Sequence, residues 1–301
     1  MRKVLFALLF VLAGMVANAQ LLWRVSGGNC FKSSYLFGTI HLESENFIDS
    51  VAGLNDAIAS VDAIYGEIVK DEMASTKALG KVMRESMAPA DSTIDKLLSP
   101  ADYALVDSVV RDYMKGIIGL DHLKKYKPST IIMQIEAMQL LKNFPNYKSM
   151  LPGLDLGVQA RGEKLGKYVG GFETVEEQLS IAYGSSLVEQ AKNLVDMCRK
   201  DKDFGQNNEA LIAAYHSQDL KALEQHLTDP ETGMDAESME KMCYSRNRKW
   251  MDKIVSTMPV QSMLIVVGAG HLVGEQGLIN LLRNRGYVVE PVDQGSCPKV
   301  F

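Results

Sequence analysis

The chain has 301 residues, of which 47% are hydrophobic, and its 32 basic and 37 acidic side chains give a net charge of −5 at pH 7. This acidic balance argues against nucleic acid as a partner. The length is sufficient for one α/β domain that carries a helical insertion.

The first 20 residues, "MRKVLFALLFVLAGMVANAQ", have the pattern of a cleaved secretory signal: two basic residues, a short apolar stretch, and small residues at Ala17 and Ala19. Cleavage before Gln20 removes Arg2 and Lys3, which changes the net charge from −5 to −7. "LAGM" lacks a lipoprotein cysteine, and no later segment offers about 18 consecutive apolar residues. We expect a secreted or periplasmic protein with no lipid anchor and no membrane span. The alternative is an uncleaved N-terminal anchor.

The N-terminal part of the mature chain is rich in predicted strands. "LLWRVSGGNCFKSSYLFGTIH" predicts a hairpin with arms at 23–25 and 35–40. A short helix at 50–60 follows, and then "DAIYGEIV", whose apolar run suits a sheet that is covered on both faces. From 71 to 143 the periodicity is helical, with breaks near Asp91, Ser99 and Pro128.

The C-terminal half returns to the sheet. A helix at 156–166 precedes a short strand at 168–172 that stops at Glu173. Further helices are predicted at 175–183, 187–199, 209–216, 220–227 and 235–256. The final "MLIVVGAGHLVGEQGLINLLRNRGYVVEPV" has the strand–turn–helix–strand pattern of a parallel βαβ pair.

These elements predict an α/β (α+β) fold. A central mixed, partly parallel sheet is built from both chain ends and carries a large helical insertion. The expected organisation is a signal peptide at 1–19 and one domain at 20–301. Within that domain the insertion covers about 71–150, and a second helical segment covers about 175–257.

The four cysteines, Cys30, Cys198, Cys243 and Cys297, are far apart and contain no C-x-x-C pair. Secretion favours disulfides over a zinc site. Of the three possible pairings we favour Cys30–Cys297 with Cys198–Cys243, because the first two flank terminal strands and the others lie in helical patterns. Free thiols are the alternative.

Polar side chains follow several predicted strands. "YLFGTIH" and "VVGAGH" both end a predicted strand in Gly-x-x-His, so His41 and His271 each lie just past the end of a strand. Glu173 also lies just past the end of a predicted strand. Ligands of open α/β sheets bind beyond the carboxyl ends of the strands. Glu67 lies in or at the end of an apolar run, where a carboxylate needs a proton, a cation or a metal. Two imidazoles and two carboxylates suit Zn²⁺, Mn²⁺ or Co²⁺, with positions left open for water.

Each candidate also has a structural alternative. Either Gly-x-x-His imidazole can be a core group bonded to a carbonyl. Glu67 can pair with Lys or Arg, and Glu173 can cap the helix that begins at "TVEEQL". His122, His216 and His226 lie in surface helical patterns, and we interpret them as structural.

Five segments together resemble the TraB/GumN family, which includes the Tiki proteins. They are "YLFGTIH", "AIYGEI", "LPGLDLGVQARGEKLGKYVGGFETVEEQL", "YSRNRKWMDKI" and "VVGAGHLVGEQGLINLLRNRGYVVEPV". The resemblance covers nearly the whole mature chain, and it implies a metal-dependent peptidase that favours manganese or cobalt. It also implies that six residues form the site. The histidines are His41 and His271, the carboxylates are Glu67 and Glu173, and the polar pair is Arg246 and Asn247.

Chemistry suggests how these residues would act. A bound divalent ion polarises a scissile carbonyl and lowers the pKa of a water molecule, and Glu67 would accept the proton. Arg246 would stabilise the oxyanion or hold a substrate carboxylate, with Asn247 as a further donor. The alternative for Arg246 is a surface arginine in the basic run "RNRK".

The sequence therefore favours a secreted metal-dependent hydrolase, most simply a peptidase, with a peptide or small molecule as substrate. Two alternatives stay open. One is a non-catalytic protein of the same family that sequesters a peptide or ligand, and the other is a hydrolase of a non-peptide ester or amide.

Overall fold

A computed structural model describes residues 20–41, 43–144, 153–201 and 204–292. The predicted signal segment and Cys297 lie outside these residues. The described chain forms a six-stranded sheet in the order β4-β3-β5-β2-β1-β6. The strands are β1 Leu22–Ser26, β2 Ser34–Thr39, β3 Ala63–Gly66, β4 Tyr168–Gly171, β5 Met263–Gly268 and β6 Val288–Pro291.

The sheet is mixed, as the sequence predicts. β4, β3, β5 and β2 are parallel neighbours, whereas β1 is antiparallel to both β2 and β6. β1 and β2 form the predicted hairpin, and Gly27, Gly28 and Asn29 have the positive φ angles that a tight turn requires.

Helices fill the segments between the strands. They are α1 Leu54–Ser60, α2 Lys70–Ala74, α3 Thr76–Glu85, α4 Ile94–Leu97, α5 Pro100–Tyr113, α6 Leu120–Leu123, α7 Pro128–Asn143, α8 Leu154–Lys164, α9 Val175–Tyr183, α10 Leu187–Arg199, α11 Phe204–His216, α12 Leu220–Leu227, α13 Ala236–Met239, α14 Ser245–Thr257 and α15 Leu278–Asn284. A π-helical turn, Glu240–Tyr244, joins α13 to α14. Short 3₁₀ helices cover Glu45–Ser50 and Ala269–His271.

The prediction that the last two strands, β5 and β6, are parallel neighbours in a βαβ unit is wrong. β5 and β6 point the same way and are joined by α15, but β2 and β1 lie between them in the sheet. β6 instead pairs antiparallel with β1, from Trp23↔Pro291 to Ser26↔Val288. The N-terminal hairpin thus occupies the position that a simple βαβ unit would give to the last strand.

The main core surrounds the central strand. Met263 to Val267 of β5 are all buried, which fits a parallel strand covered on both faces. Trp250, Met251 and Ile254 of α14 pack into this core from one helix face. The core fixes the carboxyl ends of β3, β4 and β5 relative to one another.

The helical insertion has a core of its own, formed by side chains of 94–135 together with α10. Cys198 belongs to this second core, whereas Cys243 lies in the π turn close to Gly270. Both are free thiols in the structure, so the predicted Cys198–Cys243 disulfide is wrong. Cys198 packs in the second core and Cys243 lies beside Gly270, and sequence spacing does not reveal this separation.

Candidate functional site

Two carboxylates and an imidazole follow three neighbouring parallel strands. β3 ends at Gly66, directly before Glu67, and β4 ends at Gly171, two residues before Glu173. β5 ends at Gly268, and a 3₁₀ turn then carries His271. Because β3 lies between β4 and β5, these three side chains meet at one edge of the sheet.

Arg246 lies at the centre of this group, and all five of its N–H donors are used. Nε donates to Glu173 Oε1 at 2.7 Å, and Nη2 donates to Glu67 Oε2 at 2.6 Å and to Glu173 Oε2 at 2.8 Å. Nη1 donates to the Met242 carbonyl at 2.6 Å and faces His271 Nε2 at 3.1 Å. The guanidinium is buried, so its charge is balanced inside the protein by two carboxylates.

Glu173 is saturated by protein donors. Besides Arg246, Trp250 Nε1 donates to Oε1 at 3.1 Å and Gln178 Nε2 donates to Oε2 at 2.7 Å. The Trp250 ring also stacks on the His271 imidazole, with ring centroids 4.5 Å apart. Glu173 therefore contacts donors on both of its oxygens.

Glu67 is half-buried and ionised. Burial alone would raise its pKa, but the nearby His271 and Arg246 and the Gly268 N–H, which donates to Oε1 at 3.0 Å, lower the pKa to about 2. His271 contributes its charge to this lowering because, with a pKa of about 4, it is protonated in the pH range in which Glu67 titrates. Oε1 also lies 3.6 Å from His271 Nε2. A carboxylate with so low a pKa is a weak proton acceptor.

Asn247 fixes the His271 ring. Asn247 Nδ2 donates to the carbonyls of His271 and Gln276, at 3.0 and 2.9 Å, which leaves Oδ1 to face His271 Nδ1 at 2.7 Å. Since Oδ1 can only accept, Nδ1 must carry the proton, and Nε2 presents its lone pair to Arg246 and Glu67. Burial lowers the pKa of His271 to about 4, and the Arg246 charge acts in the same direction against that of Glu67. The imidazole is therefore neutral at neutral pH.

The two Gly-x-x-His segments lie side by side. β2 and β5 pair in parallel, with Thr39 opposite Gly268. A Cβ atom at Gly38 would lie 3.2 Å from the Ala269 Cα and 3.0 Å from a Leu272 methyl. A side chain at Gly38 would therefore have to displace the second motif, which packs closely against the first.

His41 is not part of the buried group. It lies on the exposed turn after β2, and the structure records no hydrogen bond or ion pair for it among the described residues. The segment around it is nevertheless held in place. Tyr215, which is fully buried, donates to the Gly38 carbonyl at 2.8 Å, and His216 Nε2 lies 2.5 Å from Glu43 Oε2.

The side chains at this edge of the sheet supply only some of the ligands that a divalent metal ion needs. Glu67 Oε1 and His271 Nε2 are an anionic oxygen and a neutral nitrogen that face each other, and Asn247 orients the imidazole as the outer partners of metal-binding histidines do. Within the described ranges, however, no three His, Cys, Asp or Glu side chains lie close enough to share one ion. The predicted four-ligand cluster is therefore not assembled, because Arg246 binds Glu173 and His41 stays exposed.

Several contacts of the site were not predicted from the sequence. Trp250 lies one helical turn after Arg246, so the spacing i, i+4 on α14 could have placed both on one face. Gln178 lies five residues after Glu173, in the first part of α9. The sequence signal for the start of this helix is its capping box, which Thr174 forms with Glu177. The Met242 carbonyl belongs to the π turn, for which the sequence has no signal. Such turns often occur at functional sites.

Comparisons with known proteins agree with one another. The model of the TraB/PrgY/gumN family matches residues 21–291. Metalloprotease TIKI2 of Danio rerio is 23% identical over 318 residues, covering 89% of this chain and 60% of the relative. Metalloprotease TIKI1 of Danio rerio is 22% identical, with 87% and 61% covered, and the Metalloprotease TIKI homolog of Amphimedon queenslandica is 22% identical, with 89% and 60% covered. The chain spans about three-fifths of the length of these relatives. No solved structure matches it significantly.

Proposed function

The chain belongs to the TraB/PrgY/gumN family, and we propose that it is a metal-dependent hydrolase that cleaves peptides. The observation that carries the proposal is the facing pair Glu67 Oε1 and His271 Nε2, 3.6 Å apart at the carboxyl edge of the sheet. An ionised carboxylate and a neutral imidazole are both ready to bind a cation without first losing a proton. The relatives named as metalloproteases support the same reaction class.

Glu67 and His271 would hold the ion, and His41, on the turn after the neighbouring strand β2, is the third candidate. Mn²⁺, Co²⁺ and Zn²⁺ all suit such a donor set. A divalent ion bound there would supply Lewis-acid polarisation of the scissile carbonyl and a water of lowered pKa. Asn247 keeps the His271 proton on Nδ1, so that the Nε2 lone pair, which faces Arg246 Nη1 in this structure, would bind the ion in exchange for that contact.

For Arg246 we propose a different role from the one that the sequence suggested. Four of its five N–H groups bind Glu67, Glu173 and the Met242 carbonyl, and the fifth faces His271 Nε2, so that at most this one could serve an oxyanion or a substrate carboxylate. We assign Arg246 to holding Glu67 and Glu173 in place, and Glu173 to anchoring the guanidinium. Both are then positioning residues, and Glu67 as the general base stays a prediction to be tested by substitution.

The predicted secretory signal supports an extracellular or periplasmic substrate. The segment 1–19, with its basic start and apolar run, has the sequence pattern of a secretory signal. None of the helices within the described ranges is long and apolar enough to cross a bilayer. On the pattern of the segment 1–19 alone, we propose that the mature chain acts after secretion.

A second candidate is a family member that binds peptides without cleaving them. It is favoured by one observation, that the described residues do not assemble three metal ligands. A binding protein needs no open coordination position. Hydrolysis of a non-peptide ester or amide would use the same residues and differ only in the substrate.

Turnover under controlled metal content tests the proposal. The mature protein is purified without chelator, its metal content is measured, and a mixed peptide library is incubated with the chelated protein and with Mn²⁺, Co²⁺ or Zn²⁺ added back. We expect cleavage that requires the metal. Tight peptide binding without cleavage under any of the three ions would favour the sequestering protein instead.

A further inference from the structure

Solvent reaches the buried group of the site at two polar side chains. The side chain of Glu67 is 23% exposed, whereas those of Arg246, Glu173 and His271 are 7%, 5% and 4% exposed. Gln178 of α9, which contacts both carboxylates, is half-buried. The polar groups that a molecule meets first on its way to the facing pair Glu67 and His271 are therefore those of Glu67 and Gln178.

Two carboxylates determine which end of the Gln178 amide faces the site. Nε2 donates to Glu173 Oε2 at 2.7 Å and lies 3.5 Å from Glu67 Oε2. Arg246 Nη2 donates to the same two oxygens, so a charged donor and a neutral donor bridge the same pair. An ionised carboxylate only accepts hydrogen bonds, so the amide nitrogen and not the amide oxygen must face it. The orientation of the Gln178 amide is thereby fixed.

The amide oxygen of Gln178 is accessible to solvent. No described residue donates to it, and among the described side chains the buried polar atom without a partner is Gln139 Oε1 instead. The oxygen and nitrogen of one amide are about 2.3 Å apart, which places Gln178 Oε1 within about 6 Å of Glu67 Oε2. Successive residues of an extended chain are about 3.5 Å apart. One to two residues of an extended peptide therefore span the distance from Glu67 to this oxygen.

The chemistry of this oxygen indicates what it binds. An amide oxygen can only accept, so a ligand must supply an N–H or O–H donor to Gln178 Oε1. A peptide offers a main-chain N–H at each residue other than proline, whereas an ester in the same position offers none. A site with a fixed acceptor discriminates against an analogue that lacks the donor, because the acceptor is then left unpaired. Gln178 can thus distinguish peptides from esters, which the metal ligands do not.

We propose that Gln178 binds the substrate, with Oε1 accepting a main-chain N–H of a peptide within two residues of the scissile carbonyl. Gln178 is then a specificity-determining residue that favours peptides over esters. This inference rests on the peptide substrate proposed above but not on its cleavage, because the contact requires no metal. A family member that sequesters peptides would use the same contact.

Binding of matched peptides and esters to the mature protein in EDTA tests the contact. The probes are a library of blocked tetrapeptides and the same library with one amide replaced by an ester at each position in turn. Bound fractions are measured by equilibrium dialysis. We expect the wild type to bind the peptides about three- to tenfold more tightly than the analogues with the ester at one particular position. In Gln178→Met this preference should be lost at that position.

Further variants separate this contact from the structural role of Gln178. Gln178→Met should stay folded, because Arg246 and Trp250 still donate to Glu173. Gln178→Glu keeps an oxygen acceptor and loses the donor to Glu173, so it should retain the preference for peptides even where stability falls. Gln225→Met, at an exposed glutamine of α12, is the matched control and should bind like the wild type. Thermal unfolding shows that each variant is folded at the temperature of dialysis.

The outcomes for this contact are distinct from those for hydrolysis. Equal binding of peptides and esters at every position, binding of no library member, or a preference that persists in Gln178→Met would overturn the role of Gln178, even if added metal gives cleavage. A preference lost in Gln178→Glu as well as in Gln178→Met would overturn it too, because Gln178 would then act only by holding Glu173. The expected preference without cleavage under any ion would remove the hydrolase and support the contact.

Discussion

His271 Nδ1 lies 2.7 Å from Asn247 Oδ1, and this single contact determines which nitrogen of the buried imidazole faces the carboxylates. Asn247 can hold that orientation because its amide nitrogen is committed to two main-chain carbonyls, those of His271 and Gln276. The side chain that orients the ring is itself fixed by the loop that carries the ring.

Asn247→Ala should therefore lower the stability of the protein and allow the His271 ring to adopt both tautomers. It leaves two buried carbonyls and the Nδ1–H without a partner, and we expect a loss of roughly 2–4 kcal/mol in the free energy of unfolding. Nitrogen chemical shifts of the His271 ring would report a mixture of tautomers. Asn280→Ala is the control, since Asn280 makes one half-buried hydrogen bond to the Gly274 carbonyl, and about 1 kcal/mol is expected. Equal losses in the two variants would contradict the proposed role of Asn247.

Replacing Arg246 by methionine should destabilise the protein strongly. Glu67 and Glu173 would then be left without their cation, and breaking a buried pair in this way costs about 3–5 kcal/mol. Arg248, two residues along the same helix, pairs with Glu240 at the surface, and Arg248→Met should cost less than about 1 kcal/mol. Urea denaturation of both variants measures the difference. Comparable midpoints for the two variants would show that the buried cluster is not held by Arg246.

Glu67→Gln and His271→Ala should each weaken metal binding, because each removes a proposed donor to the ion. If Glu67 is also the general base, Glu67→Gln lowers kcat by about 10² to 10⁴ even when the metal is saturating. Calorimetry with Mn²⁺ and peptide kinetics at high metal concentration separate the two effects. Glu163→Gln, in an exposed pair with Lys70, is the matched control. Wild-type metal affinity in both site variants would rule out the proposed ligands.

Glu173→Gln is expected to leave metal affinity unchanged and to lower stability. Its oxygens bind Arg246, Trp250 and Gln178, so the substitution removes a counter-charge and replaces an acceptor by a donor that faces other donors. Binding of Mn²⁺ and thermal unfolding are measured on the same preparation. A loss of metal affinity with stability unchanged would return Glu173 to the ligand set that the sequence predicted.

Stability of the chelated protein should fall as the pH is lowered from about 6.5 to about 4. His271 has a lowered pKa in the folded chain, about 4 against an ordinary value of 6.5, so between these values the unfolded chain binds a proton that the folded chain does not. Protonation then favours unfolding, by at most about 1.4 kcal/mol per pH unit. The free energy of unfolding is measured in EDTA across this range. His271→Gln should have a shallower dependence, and an unchanged slope would contradict the lowered pKa.

The sequence was most informative where the signals are local. The predicted helices at 175–183, 187–199 and 220–227 have the bounds of α9, α10 and α12, because Thr174, Ser186 and Asp219 cap their first turns through short-range hydrogen bonds. The strand ends that carry Glu67, Glu173 and His271 were also predicted from local signals, namely short apolar runs that stop near these residues. Their convergence followed from the rule that parallel strands end at one edge of a sheet.

The unpredicted parts depend on contacts between distant segments. Arg246 and Glu67 are 179 residues apart, and nothing near either residue indicates that a guanidinium neutralises the carboxylate. The pairing of β6 with β1 has the same origin, since the final strand is separated from its neighbour by nearly the whole chain. His41 shows a further limit, because strand periodicity does not give the direction of a side chain that lies beyond the strand end.

The central position of β5 determines when the fold can form. Residues 263–268 separate β3 from β2, so the two earlier strands have no direct hydrogen bonds to each other and remain unjoined until this late segment has been made. Pairings this distant in sequence require loop closure before they contribute stability, and they make folding slow. During synthesis the sheet therefore stays incomplete at least until β5 has been made. An unfolded chain can be threaded through a narrow channel, whereas a finished sheet cannot, so the strand order itself delays completion of the sheet until residues 263–268 have been made.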